Sequence, residues 1–239
     1  MSRKLSTAIV FAIAVVFAAA PVVLAQTPGA GSTTSGPMAP GATGTPSSQM
    51  GTMGTDTINA TVAVDEWTPA VNSAWIGSEG NTVYVVNTGS GTVTNEFGTG
   101  GAVKSSPILS FGVRATDSNL YIGSTDGKMY CLNPISMALQ TASWTPNGYY
   151  DTGSAIQSTA YLEIIDSSNY FLYFGADNGS LYKLNAKTGA LIGAFSFTAK
   201  GPIRSSPLVY KGYVYFGSDD GNCYCVDKTT GAARSGWPV

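Results

Sequence analysis

From residue 67 to Val239, short apolar runs alternate with turns rich in Gly, Asp and Asn. The pattern has a unit. Ala74-Trp-Ile-Gly-Ser-Glu-Gly-Asn-Thr-Val-Tyr-Val-Val-Asn87 is its first copy, and Leu120-Tyr-Ile-Gly-Ser-Thr-Asp-Gly-Lys-Met-Tyr-Cys-Leu-Asn133 its second. Leu172-Tyr-Phe-Gly-Ala-Asp-Asn-Gly-Ser-Leu-Tyr-Lys-Leu-Asn185 and Tyr213-Val-Tyr-Phe-Gly-Ser-Asp-Asp-Gly-Asn-Cys-Tyr-Cys-Val-Asp227 follow. In each copy an aromatic or β-branched run ends at Gly77, Gly123, Gly175 or Gly217. A short polar turn comes next, and a second run carries Tyr84, Tyr130, Tyr182 or Tyr224. Apolar runs flanking such a turn predict a β-hairpin. The late turn position, Asn81, Gly127, Gly179 or Gly221, calls for a positive φ, which Gly and then Asn adopt most readily.

The glycines that close the first run are 46, 52 and 42 residues apart. A period of about 40 to 50 residues with only β signals is that of propeller blades built from about four strands each. The other two strands of each unit are read on either side of the hairpin. Before it lie Trp67 to Val71, Val103 to Leu109, Ala155 to Tyr161 and Ile203 to Val209. After it lie Thr92 to Phe97, Ala138 to Trp144, Ala190 to Phe197 and Ala233 to Val239. The expected fold is all-β: a β-propeller of four blades of four antiparallel strands each, which closes as a small ring by itself, is half of a larger ring, or is incomplete. The blades are expected at about 67–100, 101–145, 153–198 and 201–239.

The Ser-Ser-Pro segments at 105–107 and 205–207, the Tyr215-Phe-Gly-Ser-Asp-Asp-Gly221 hairpin and the Asp227-Lys-Thr-Thr-Gly231 turn resemble the pyrroloquinoline-quinone-like (PQQ-like) propeller repeat. The resemblance covers residues 67–239 and implies the fold. That family holds quinone-dependent dehydrogenases, and also propellers that bind no quinone and serve as scaffolds. The dehydrogenases have about twice as many blades, with a vicinal cysteine pair and a calcium site, and neither of these can be placed on this chain.

Upstream of the repeats the pattern changes twice. Arg3 and Lys4, the apolar run from Ala8 to Val23, and the small-residue site ending at Ala25 predict a secretory signal peptide over residues 1–25. The apolar run is broken by Pro21 and is short for a membrane span, so cleavage before Gln26 is expected. Residues 26–57 are built mainly from Gly, Pro, Ser, Thr, Ala and Met, with one charge, Asp56, and no aromatic side chain. Such a segment cannot bury enough apolar surface to offset ordering, so a disordered linker is expected. The domain proper is then 58–239. Ile58 to Val64 alternates as a half-buried strand does, and is read either as a latch completing the last blade or as a strand packed on the first.

Composition removes most chemistry. The chain has 239 residues, 11% charged, with a formal charge of −2; removing Arg3 and Lys4 leaves 10 basic against 14 acidic residues, hence −4. No basic patch points to nucleic acid. Histidine is absent, which excludes a Ser-His-Asp triad, a Cys-His dyad, a histidine-ligated zinc and CxxCH haem attachment. Met38, Met50 and Met53 are irregularly spaced and lack the His or Cys a copper site would add. Asp126, Asp177, Asp219 and Asp220 recur where a tight turn wants Asp or Asn, so turn chemistry rather than calcium accounts for them. Cys223 and Cys225 share one strand face, in slots that otherwise take mainly apolar residues, and are expected as small buried hydrophobes. Cys131 is too far along the ring to pair with Cys225. Glu66, Glu79, Glu96, Glu163, Asp117, Asp151 and Asp166 offer no pair that spacing singles out for glycoside hydrolysis.

The 52-residue spacing reflects an insertion, Ser143 to Gly153, that gathers Trp144, Tyr149, Tyr150 and Asp151. These are the candidate interaction loop, since long loops carry function more often than tight turns. The alternative is packing: Trp144 capping the blade edge and the tyrosines filling a gap between blades. No catalytic or metal residue and no cofactor is expected. The expected function is that of an exported scaffold, periplasmic or extracellular, which meets another protein or a second copy of itself through an exposed blade face. The alternative is a subunit or remnant of a PQQ-dependent dehydrogenase, with PQQ and calcium.

Overall fold

The computed structural model describes residues 56–58, 60–64, 72–110, 118–144 and 146–239, and the expectations for the signal peptide, Met38, Met50, Met53, Glu66, Asp117 and the strand at Trp67 to Val71 lie outside them. Four antiparallel sheets follow one another along the chain. The first is β1 (Ala63–Val64), β2 (Ser73–Gly77), β3 (Thr82–Asn87) and β4 (Val93–Gly98). The second is β5 (Ile108–Ser110), β6 (Asn119–Gly123), β7 (Lys128–Leu132) and β8 (Tyr149–Asp151). The third is β9 (Tyr161–Ile164), β10 (Tyr170–Gly175), β11 (Ser180–Asn185) and β12 (Phe197–Thr198). The fourth holds three strands, β13 (Leu208–Tyr210), β14 (Tyr213–Gly217) and β15 (Cys223–Asp227). Its outer position carries no strand. Val239 instead exchanges main-chain hydrogen bonds of 2.7 and 3.1 Å with Cys223. The architecture is a partial β-propeller, as the sequence predicted.

The four hairpins stand where the pattern put them, and Asn81, Gly127, Gly179 and Gly221 have φ of 66°, 88°, 79° and 87°. The flanking strands differ. The Ser-Ser-Pro segments precede the innermost strands rather than forming them, because Pro107 and Pro207 have no N–H for a ladder. The first serine works through its side chain instead. Ser105 Oγ donates to Gly123 O at 2.7 Å and accepts the Gly123 N–H at 2.9 Å, and Ser205 does the same to Gly217 at 2.8 and 2.7 Å. The outer strand expected at Ala138 to Trp144 shrinks to one bridge, Leu139 to Leu132, and the outer position passes to β8.

The latch reading of Ile58 to Val64 is corrected. Ala63 and Val64 pair with Trp75 and Ala74, in the register that Ile108 and Leu109 make with Tyr121 and Leu120. Its last two residues, β1, are thus the innermost strand of the first blade, not the last strand of the fourth. Two residues assigned to the linker are part of the first blade: Thr57 O accepts the Glu79 N–H at 2.9 Å, as Ala102 O accepts that of Thr125.

Because strand side chains alternate and the second and third sheets are each covered on both sides, their apolar runs each feed two junctions. Leu120 and Ile122 face the first sheet, while Tyr121 faces the third. Three buried clusters result, one per junction: Trp75, Val83 and Val85 against Leu120, Ile122 and Leu132; Tyr121, Met129 and Trp144 against Leu172, Phe174 and Leu184; Tyr173 and Leu181 against Val214, Phe216 and Val226.

Candidate functional site: the blade junctions and the open blade faces

The expected interaction loop is not a loop on the surface. Trp144 is 0% exposed within the second junction, and its Nε1 donates to Ala186 O at 2.8 Å. Tyr149, Tyr150 and Asp151 form β8, with Tyr149 packed toward the first junction and Tyr150 toward the second. The packing alternative therefore holds for the aromatics. Asp151 caps the following turn, accepting the Gly153 N–H at 2.8 Å.

The turn carboxylates are committed to the fold. Asp126 accepts the Gly100 N–H at 2.9 Å, the Lys128 N–H at 3.0 Å and the Tyr130 hydroxyl at 2.5 Å. Asp220 repeats this with Lys200 N–H, Asn222 N–H and the Tyr224 hydroxyl. The Tyr224 hydroxyl, with the other donors, holds the Asp220 pKa at about 2. Among the described residues no cluster of three or more His, Cys, Asp or Glu side chains is set to hold a metal. The donor set also fails to fit PQQ with calcium. Its cysteines are Cys131 on β7 and Cys223 and Cys225 two apart on β15, with no adjacent pair.

The first hairpin shows a feature that sequence reading missed. Its turn has Gly80 where the second and fourth have Asp126 and Asp220. The carboxylate comes from Asp56 instead. Asp56 Oδ2 accepts the Ser78 hydroxyl at 3.1 Å and the Tyr84 hydroxyl at 3.0 Å. A Cβ placed on Gly80 would lie 2.0 Å from that same oxygen, so the two residues share one site and only one side chain fits. Burial, then the Asp56 contact, raises the Tyr84 pKa. The signal available in the sequence was the lone charge of residues 26–57.

One ionisable cluster is buried. Lys183 Nζ donates to Lys228 O at 2.8 Å and lies 4.5 Å from the Phe171 ring centroid and 5.2 Å from that of Tyr173. Glu163 accepts Lys228 Nζ at 2.5 Å and the Tyr173 hydroxyl at 3.0 Å. Desolvation lowers the Lys183 pKa, which is also what an amine nucleophile needs. But Lys183 is 6% exposed at the third junction, where no substrate reaches it. It fastens two blades.

The three junctions use one contact set. Val103, Ile156 and Ile203 press on Gly77, Gly123 and Gly175 of the preceding blade, where a glycine Cβ would lie 2.5, 2.4 and 2.2 Å from them. Their N–H groups donate to Ser78 O, Ser124 O and Ala176 O. Trp75 Nε1, the Tyr121 hydroxyl and Lys183 Nζ reach the carbonyls of Pro134, Ala186 and Lys228, each the residue after the last Asn or Asp of the next hairpin. Ion pairs add to the first and third: Lys104 with Glu79 at 3.7 Å, and Arg204 with Asp177 at 3.0 Å.

At the fourth blade the set is cut in half. Among the described residues, Gly217 has no heavy atom within 4 Å of its Cβ position other than Ser205 of its own blade. Cys223 occupies the slot of Val83, Met129 and Leu181, which are buried, yet is itself exposed. The expectation that both cysteines are buried holds for Cys225 alone, because no following sheet covers Cys223. Leu208 and Tyr210 are exposed on β13. The first blade lacks the reciprocal half. Ile76 and Val86 are only partly buried where Ile122, Phe174, Leu132 and Leu184 are sealed, and Val64 is exposed.

Comparison with known proteins agrees with this geometry. Residues 151–234 match the family described as outer membrane protein assembly factor BamB. The crystal structure of BamB from Moraxella catarrhalis is similar at 18% identity and a TM-score of 0.55, over 77% of this chain and 50% of that one. The computationally designed Ika8 protein is similar at 20% identity and a TM-score of 0.50, over 72% of this chain and 46% of that one. The chain thus spans about half the length of either solved relative. No curated protein matches it in sequence.

Proposed function

We propose that this chain, whose residues 151–234 match the BamB family, is an exported, non-catalytic scaffold of PQQ-like β-propeller repeats that binds a protein partner in the cell envelope. The observation that carries the reading is the exposed face of the fourth blade, where Gly217, Cys223 and Leu208 offer half of a junction already used three times. The ionisable groups elsewhere are absorbed in turns and junctions. Residues that would hold a quinone or a metal are missing from the set described. The signal-like segment at residues 1–25 and the description of the matched family both favour the envelope.

The test has two arms. A cysteine-directed photocrosslinker, attached to Cys223 at a dilution where chains do not associate and then activated in the envelope fraction, is expected to give adducts to a protein, whether a second copy of this chain or another. Addition of PQQ and calcium is expected to give neither a quinone absorbance band nor alcohol-dependent dye reduction. Dye reduction, or a chain that yields no adduct from Cys223, overturns the proposal.

A further inference from the structure

The two open faces are the two halves of one interface. The face of the fourth blade presents the positions every preceding blade presents to its successor: a glycine (Gly217), a main-chain carbonyl beyond it (Ser218), an aromatic side-chain donor (Tyr215, where Trp75 and Tyr121 stand) and an apolar slot (Cys223). The face of the first blade presents what every following blade supplies. Ile58 holds the position of Val103, Ile156 and Ile203, since Thr57 bonds Glu79 as Ala102, Ala155 and Pro202 bond their own turns. Thr88 follows Asn87 as Pro134, Ala186 and Lys228 follow Asn133, Asn185 and Asp227. Among the described residues, nothing but Ser205 approaches the Gly217 Cβ position within 4 Å.

We infer that a second copy of this chain covers the open face: Ile58 of each copy packs on Gly217 of the other, and two four-bladed halves close a ring. This deepens the scaffold reading by naming the partner, and it rests on that reading only for the face it uses. A head-to-tail contact either closes or runs on as a filament. Closure by two copies is favoured here because two sets of four blades supply the length of one solved chain of this fold, of which a single set spans 50% or 46%. It also buries apolar groups that stand in water otherwise, namely Leu208, Tyr210 and Val64.

The contact is paired at each level: knob to hole, N–H to carbonyl, hydroxyl to carbonyl. Ile58 N–H would donate to Ser218 O of the other copy, as Val103 N–H donates to Ser78 O. The Tyr215 hydroxyl would turn from Arg234, 3.4 Å away, to the Thr88 carbonyl of the other copy.

Sedimentation velocity of the exported protein tests it, with Cys223 alkylation by iodoacetamide as a second readout. The expected result is a species of twice the chain mass in which Cys223 is protected. Gly217→Val places a branched side chain where only Ser205 lies near, at 3.7 Å, so the chain folds while the hole is filled. It is expected to sediment as a monomer with native circular dichroism and with Cys223 fully alkylated. Gly98→Val, on an outer strand with open space around it, is expected to keep the dimer. A monomeric natural chain, a dimer untouched by Gly217→Val, or an open series of higher oligomers each overturns the inference. A monomer that still gives heterologous adducts from Cys223 leaves the scaffold reading standing, so the two fail separately.

Discussion

The second junction and the outward face of the fourth blade are built from the same sequence positions and behave as opposites. In the junction, Met129 is sealed, Ile156 fills the space over Gly123, and Tyr121 and Trp144 both grip Ala186 O. On the open face the same positions give an exposed Cys223, a Gly217 met only by Ser205 among the described residues, and a Tyr215 that contacts Arg234, Trp237 and Cys225 of its own blade. A repeat position therefore has no fixed energetic worth. What lies on the far side of the sheet decides it, as in any linear array where stability sums over neighbours.

Tryptophan gives the largest contrast. Trp144→Ala removes a fully buried side chain and the Ala186 hydrogen bond, and is expected to cost about 3–5 kcal/mol in urea unfolding. Trp237→Ala, at the open end and only half-buried, should cost under about 1 kcal/mol. Equal losses would erase the distinction between junction and face.

Glycine sharpens it. Gly175→Ala drives a Cβ to 2.2 Å from Ile203 and 2.5 Å from its carbonyl, and should destabilise by about 1–3 kcal/mol or more. Gly217→Ala, measured at a dilution where chains do not associate, should stay within about 0.5 kcal/mol of the natural chain. A neutral Gly175→Ala would mean that the junction is looser than its contacts.

The first blade offers a reversal of sign. Asp56→Ala strips the acceptor from Ser78 and Tyr84 and should cost about 1–3 kcal/mol. Gly80→Asp in the natural chain should also destabilise, since its Cβ meets Asp56 and two carboxylates would share one site. Combined, the two changes should recover much of the loss, because the blade then carries its carboxylate where Asp126 and Asp220 sit. A double variant as unstable as the sum of the singles would refute the shared site.

The smallest effect is in acid. The Asp220 pKa falls from 3.8 to about 2 in the folded chain, chiefly through the Tyr224 hydroxyl. A depressed carboxylate pKa means that the unfolded chain binds the proton more readily. Its stabilisation is complete above pH 3.8 and is lost as pH falls through about 2. Thermal scans between those limits should show a shallower acid slope for Asp220→Asn than for the natural chain; identical slopes would count against it.

What the sequence carried was everything written in contiguous residues. Each hairpin is declared by two apolar runs around a turn with Gly or Asn at the positive φ, so all four were legible without a structure. The propeller architecture followed from their spacing, and the resemblance to the PQQ-like repeat from the Ser-Ser-Pro, hairpin and Asp227-to-Gly231 turn motifs. The absence of histidine likewise narrowed the chemistry at once. Outer and innermost strands were less legible, because an edge strand of two or three residues has too few positions to show a period. The Trp144 segment misled for a related reason: aromatic residues in a long connection look alike whether they face solvent or the next sheet. Tertiary structure alone decided three things. It made Ala63 and Val64 the innermost strand of the first blade, because antiparallel pairing to β2 depends on register across space. Placing the Asp56 carboxylate in the gap left by Gly80 joined residues 24 positions apart that no local pattern links. It also split two cysteines on one strand face into a covered Cys225 and an open Cys223, because burial belongs to the partner surface as much as to the residue.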